Sequence, residues 1–169
     1  MGRDKALVVV DGVAMGARMV TTLRLAGCDP VVFVGGDPDL LDPLGADVVA
    51  DMAPGEGPLG GVVTALDRFA HTADRVVVVS CDMPFLSAAD LGPLVARAAV
   101  AGVDVVVGRS SRPEPLCAVW STGAADRVRA AFDRGTRSIL GVLDELDTED
   151  MRVSMQAVRN INTLDDLDQ

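Results

Sequence analysis

The chain has 169 residues, 49% of them apolar and only 3% aromatic, enough to bury a sizeable core in one domain. Its formal charge of −10 repels nucleic acid, and no apolar run reaches the ~18 residues of a membrane-spanning helix. With no basic and apolar leader at the amino end, the expectation is a cytoplasmic globular protein that binds neither nucleic acid nor membrane.

In chain order, the opening "MGRDKA" carries Lys5, the one lysine among 15 basic residues. "MGARMVTTLRLAG" has helical spacing and a stop at Gly27, although Gly16 weakens its first turns. The β-branched runs "VVFV" (31–34), "DVVA" (47–50), "RVVVV" (75–79) and "VDVVVG" (103–108) predict strands buried on both faces. Between them, 58–71 predicts a helix after a Gly-Pro turn. A further helix begins at Ser87, with Asp90 three residues later, and closes at Gly102. Beyond lie a strand-like run (114–121), two helical segments, a last strand over 151–158, and "NINTLDDL", where Thr163 is placed to cap a final helix. Strands alternating with helices through short links predict parallel strands and right-handed crossovers. The fold class is therefore α/β, a three-layer Rossmann-like sandwich with a mostly parallel central sheet, over a single domain 1–169.

In such sheets ligands gather beyond the carboxyl ends of the strands. Three strand ends carry candidates: Asp82 after "VVVVSC", Asp51 before the loop "MAPGEGPLGG", and the pair Gly35–Gly36, read as a turn. A carboxylate at a strand end suits Mg²⁺, which takes one or two carboxylates and fills its octahedron with water and phosphate oxygens. A glycine loop entering a helix offers free N–H groups to an anion. For Asp82 and for "GPLGG" taken singly, an ordinary turn is the competing reading. Three cysteines without a C-x-x-C pair and a single histidine, His71, speak against a disulfide framework, a zinc site or a His-centred triad. Cys28 and Cys117 read as small buried hydrophobes, Trp120 as core, and Met15, Met19, Met151 and Met155 as core filler. Arg109, Arg112, Arg134 and Arg137 read as solvated loop arginines, with contact to a phosphate as the alternative.

Taken together, "MGRDKALVVVDG", "D-x5-GPLGG", "VVVVSCDMPF", "RPEPLCAVW" and "NINTLDDL", in that order, resemble the MobA-like nucleotidyltransferases over residues 1–167. Within that family the chain is most similar to the molybdenum cofactor guanylyltransferases. The resemblance implies transfer of GMP from GTP to the phosphate of the molybdenum-bound pterin, with Mg²⁺ as cofactor and pyrophosphate released. It makes Lys5 the contact to the nucleotide's phosphates and Asp82 the metal ligand. Asp51 and Gly57 would meet the nucleotide, and Asn160 and Asn162 the pterin acceptor. The alternatives are CTP or another phosphorylated acceptor, or an inactive binding protein.

The family's pattern begins with a central strand ending "LAGG" before its "RMG-x-DKA"-like stretch, whereas this chain starts at the Met of that stretch. The expectation is that Met1 is an internal methionine of a longer natural protein. The rival is a shortened chain that has lost transfer. An absent central strand exposes its neighbours' hydrogen-bonding edges, so poor solubility or a homo-oligomer is expected of the chain as written.

Overall fold

The computed structural model describes residues 4–161, so Asn162 and Thr163 lie outside the described residues. Lys5–Leu7 forms one 3-10 turn, opened by Asp4, whose Oδ1 accepts from Ala6 N at 3.0 Å. "LVVVDGVA" then folds back as a hairpin of β1 (Val9–Val10) and β2 (Val13–Ala14). Asp11 and Gly12 make this possible by taking left-handed φ values of 49° and 79°, which a two-residue hairpin turn requires. Helix α1 (Met15–Leu25) follows directly and ends before Gly27, at φ 89°. Gly16 has a packing reason: a Cβ there would stand 2.8 Å from Leu44 Cδ1 and 3.1 Å from Ala6 O.

The middle of the chain gives β3 (Val32–Val34), α2 (Pro38–Leu41) and β4 (Asp47–Val49), with β3 and β4 paired in parallel. Next come α3 (Pro58–Phe69), β5 (Arg75–Val79) and α4 (Ala88–Val100). At the start of α4, Ser87 and Asp90 cap each other reciprocally, as their spacing predicts. The remainder is β6 (Val105–Arg109), β7 (Pro113–Ser121), α5 (Ala125–Asp133), α6 (Ile139–Leu143) and β8 (Thr148–Arg152). These strands assemble in the order β5-β7-β6-β8.

The α/β architecture and its helix-covered sheet are as expected, and two details differ. The sheet is mixed: β7 runs antiparallel to both β5 and β6, because only a short link joins β6 to β7 and no crossover helix intervenes. The last strand is Thr148–Arg152, parallel to β6, and residues 155–158 form a turn. Its sequence "TEDMR" hides it, since the charges that argue against a strand are taken up by neighbours. Arg97 Nε lies 2.7 Å from Glu149 Oε1, and Arg109 Nε lies 2.6 Å from Asp150 Oδ2.

Two apolar layers flank the sheet. On one face α3, α5 and α6 pack against Val76, Val105, Val107, Ala118 and Trp120. On the other, α1 and α4 pack against Val106, Cys117 and Val119. Successive residues of β6 and β7 thus serve opposite layers, and Val105, Val106 and Val107 are at most 2% exposed. At the site end, Val10, Met15 and Ile161 make a third cluster that clips the hairpin to the chain's late segment. Met15 and Met19 are core as expected. Met155 is 70% exposed, because it falls in the 155–158 turn and not in a strand, and Cys28 is only half-buried. No helix among the described residues is long and apolar enough to cross a membrane.

Candidate functional site

Two candidates 77 positions apart in the sequence are brought into contact: Lys5 Nζ lies 3.1 Å from Asp82 Oδ2. Lys5 is delivered by the 3-10 turn that Asp4 caps. Asp82 follows β5 at its carboxyl end, where the strand's apolar requirement lapses. Its side chain is only 10% exposed, against 46% for Lys5. A carboxylate so buried needs partners. Ser80 Oγ donates to its Oδ1 at 2.6 Å, and Ile161 N donates to its main-chain oxygen at 2.8 Å. Each carboxylate oxygen thus takes one of these side-chain hydrogen bonds, and a carboxylate offers about four acceptor sites, so Asp82 retains capacity for a cation. Among the described residues, no three His, Cys, Asp or Glu side chains gather as a metal cage. One carboxylate completed by phosphate oxygens and water is a donor set that fits Mg²⁺.

Asp51 ends the neighbouring strand pair. Its Oδ1 accepts from Ala53 N at 2.9 Å and lies 3.1 Å from Thr64 Oγ1, a fully buried hydroxyl of α3 that also accepts from Met52 N at 3.0 Å. Thr64 therefore fixes the loop after β4 to the helix that "GPLGG" begins. Gly60 permits that approach, since a Cβ there would stand 3.1 Å from Ala53 O. Gly57, at φ 87°, is the residue before α3, and no side chain caps that helix's first amides. Between Asp51 and Lys5 runs the turn Gly35–Gly36, at φ 74° and 93°. A Cβ on Gly35 would meet Asp51 Cβ at 3.5 Å, and one on Gly36 would meet Asp4 Oδ2 at 3.2 Å. Asp51, the glycine turn, Asp4–Lys5 and Asp82 therefore stand in sequence along one sheet edge.

Asn160 is exposed and adjoins Ile161, hence Asp82; Asn162 lies outside the described residues. The four arginines expected in loops are held by carboxylates: Arg109, which in fact ends β6, by Asp150, Arg112 by Glu114, Arg134 by Glu145 and Arg137 by Glu56. Arg137 also stacks on Phe132, 4.1 Å from its ring centre. The sequence reading missed Asp4, Ser80 and Thr64. Ser80 and Asp4 sit two residues and one residue from the candidates they support, and that proximity is the signal that was there to use.

Cys81 stands beside Asp82 without the character of a nucleophile. Burial, then the negative charges of Asp82 and Asp4, push its thiol up to about 11 against a smaller pull from Lys5. At pH 8 the thiolate fraction is then about one in a thousand. Alkylation of Cys81 in a Cys28→Ser, Cys117→Ala background should accelerate tenfold per pH unit from 8 to 10, with no plateau near 9. A plateau below pH 9 would contradict the assigned environment.

The comparisons bear on what this edge does. A family model described as the MobA-like NTP transferase domain matches residues 1–149. A probable molybdenum cofactor guanylyltransferase of Opitutus terrae is 36% identical over 140 residues, 82% of this chain and 69% of that one. One of the same description from Mycobacterium marinum is 32% identical over 171 residues, 99% of this chain and 85% of that one. Among solved structures, molybdopterin-guanine dinucleotide biosynthesis protein A of Archaeoglobus fulgidus superposes with a TM-score of 0.78 at 28% identity, covering 99% of this chain and 88% of that one.

Proposed function

The chain belongs to the MobA-like NTP transferase family, and from that premise we propose that it transfers GMP from GTP to the phosphate of the molybdenum-bound pterin cofactor. The observation that carries this reading is the Lys5–Asp82 pair at the carboxyl edge of the sheet. It supplies a cation and a cation ligand at one point, on a protein whose overall charge would otherwise repel a triphosphate.

In the proposed reaction an oxygen of the acceptor's phosphate attacks the α-phosphorus of GTP in line. The bond from that phosphorus to the bridging oxygen breaks, and pyrophosphate leaves with the electron pair. No protein nucleophile takes part, in keeping with the high thiol pKa of Cys81. Lys5 holds the phosphates and offsets the negative charge that develops between them. Asp82 would hold Mg²⁺, which supplies further neutralisation of the phosphate oxygens. The start of α3, with Gly57 before it, turns the positive end of the helix dipole toward the nucleotide, although Pro58 carries no N–H and Gly60 N donates to Gly57 O. Asp51 orders that loop, and Asn160 faces the acceptor side.

Thr64→Val tests the loop's part. Losing its hydroxyl should cost about 1–2 kcal/mol of stability and raise the KM for GTP about 3- to 10-fold, with kcat within about twofold. A kcat loss with unchanged KM would remove Asp51 and its loop from substrate binding. The reading as a whole is tested by thermal shift with GTP, CTP and ATP, each with and without Mg²⁺. GTP at about 100 times its dissociation constant should raise the midpoint by about 5–10 °C, and more with Mg²⁺ than without. A shift confined to CTP would reassign the base, and no shift with any of the three would remove the nucleotide.

A further inference from the structure

Beyond the carboxyl ends of β6 and β8 lies an open cleft of about 550 Å³, lined by Ser110, Ser111, Arg152, Val153, Ser154 and Met155. The two strands run parallel, with Arg109 and Arg152 as neighbours at their ends. The register of β6 against β7 shifts between Val107 and Gly108, and such a bulge re-aims the turn that carries Ser110 and Ser111. Among the described residues, Arg152 is the arginine without an ion pair, a hydrogen bond or a ring contact. The acids beside it are engaged. Asp150 holds Arg109, and buried Glu114 accepts from Ser110 Oγ at 2.5 Å and lies 3.6 Å from Arg112 Nε. None of the six residues lining the cleft is acidic, on a chain with 25 acids against 15 bases. The cleft is therefore rich in donors. Arg152 brings five N–H groups, and Ser154 Oγ accepts from Ala157 N at 3.0 Å while keeping its own O–H to give. A guanidinium with no carboxylate on it, flanked by hydroxyls, is a fork for an oxyanion.

We propose that this cleft is an oxyanion subsite built on Arg152, and that it receives the molybdenum end of the acceptor, whose oxo groups are the oxyanion. The second part rests on the proposed transfer to the molybdenum-bound pterin. Two observations tie the cleft to that acceptor. The chain from Val153 to Ile161 leads from the cleft to Asp82, because Ile161 N donates to the main-chain oxygen of Asp82, and exposed Asn160 stands just before it. One wall thus joins the two places. The strand order β5-β7-β6-β8 also sets the ends of β6 and β8 two and three strands away from that of β5, or about 10–14 Å. Asp82 with a bound cation reaches in from one side and the long side chain of Arg152 from the other. A pterin with a phosphate on a short side chain spans what remains. Met155, 70% exposed at the rim, offers the ring of the same ligand a flexible apolar side chain. Phosphate and pyrophosphate share the oxyanion chemistry, so they are the competitors against which the assignment is measured.

The test needs neither nucleotide nor acceptor, so its failure is separate from failure of the transferase reading. Sodium molybdate, phosphate and pyrophosphate are titrated in turn into the full chain at constant ionic strength. The Arg152 side-chain N–H and the amides of Ser110, Ser111 and Ser154 are followed by NMR. Molybdate should shift all four with one dissociation constant. Arg152→Gln should weaken that binding at least about tenfold at an unchanged melting temperature, since Arg152 has no partner to lose among the described residues. Arg152→Lys should recover only part of it, because a point charge does not replace the fork. Molybdate bound more tightly than both phosphates, or within about tenfold of them, supports the assignment to the molybdenum end. Phosphate or pyrophosphate bound more tightly than molybdate by a wider margin would give the cleft to the leaving group and overturn that assignment. Shifts that are absent, or that persist undiminished in Arg152→Gln, would overturn the subsite itself.

Discussion

Asp82→Asn should reduce pyrophosphate release by at least about 10³-fold while the protein melts within a few degrees of the parent. The substitution keeps volume and one acceptor oxygen, so Ser80 or Lys5 still finds a partner. It removes the negative charge that holds a divalent cation against phosphate. Because Asp82 is nearly buried and its main-chain oxygen is tied to Ile161, the side chain has no room to swing away and be replaced by another acid. A further readout separates a metal role from a merely structural one. In the variant, Mg²⁺ should no longer add to the thermal shift produced by GTP. Parental activity with Mg²⁺ would remove Asp82 from the site.

Lys5→Ala should cost about 10²–10³ in kcat/KM, or ~3–4 kcal/mol of transition-state stabilisation. Its stability cost should be far smaller. Lys5 is half-exposed, so water can take its place at Asp82 Oδ2 while Ser80 keeps its bond to Oδ1, and the loss should stay at about 1 kcal/mol. The gap between those magnitudes decides the interpretation: a large fall in rate with little change in melting places the ammonium on the reaction and not on the fold. Lys5→Arg should recover less than about tenfold, since a planar fork does not replace a compact point charge at the end of a short 3-10 turn. In the double variant with Asp82→Asn, the loss should be clearly less than the product of the two single losses, because the two side chains touch. Full additivity would mean that they act independently.

Much of this was legible in the sequence for reasons that can be named. Uninterrupted β-branched runs such as 75–79 are buried on both sides, so composition alone marks them. Ser87 and Asp90 announce a helix start because two side chains satisfy two orphan amides at a fixed spacing. Lys5 and Asp82 stood out by rarity and by position at a strand end. What escaped has equally physical causes. β8 is an edge strand whose charged residues are neutralised by arginines about 40 and 50 positions away, and no local pattern encodes such partners. The reversal of β7 follows from a link too short for a crossover, which the strand's own composition does not show. Ser80 and Thr64 support the two candidate carboxylates through single hydroxyls, and a serine or threonine near a strand end reads equally well as a turn residue.

Transfer of a guanylyl group at the Lys5–Asp82 edge can be assayed outright. The chain is incubated with GTP, Mg²⁺ and the molybdenum-bound pterin, and the pterin–guanine dinucleotide is sought by mass spectrometry alongside released pyrophosphate. The predicted result is both products in equal amounts, dependent on the acceptor and lost in Asp82→Asn. GTP bound with Mg²⁺ yet neither product formed would contradict it.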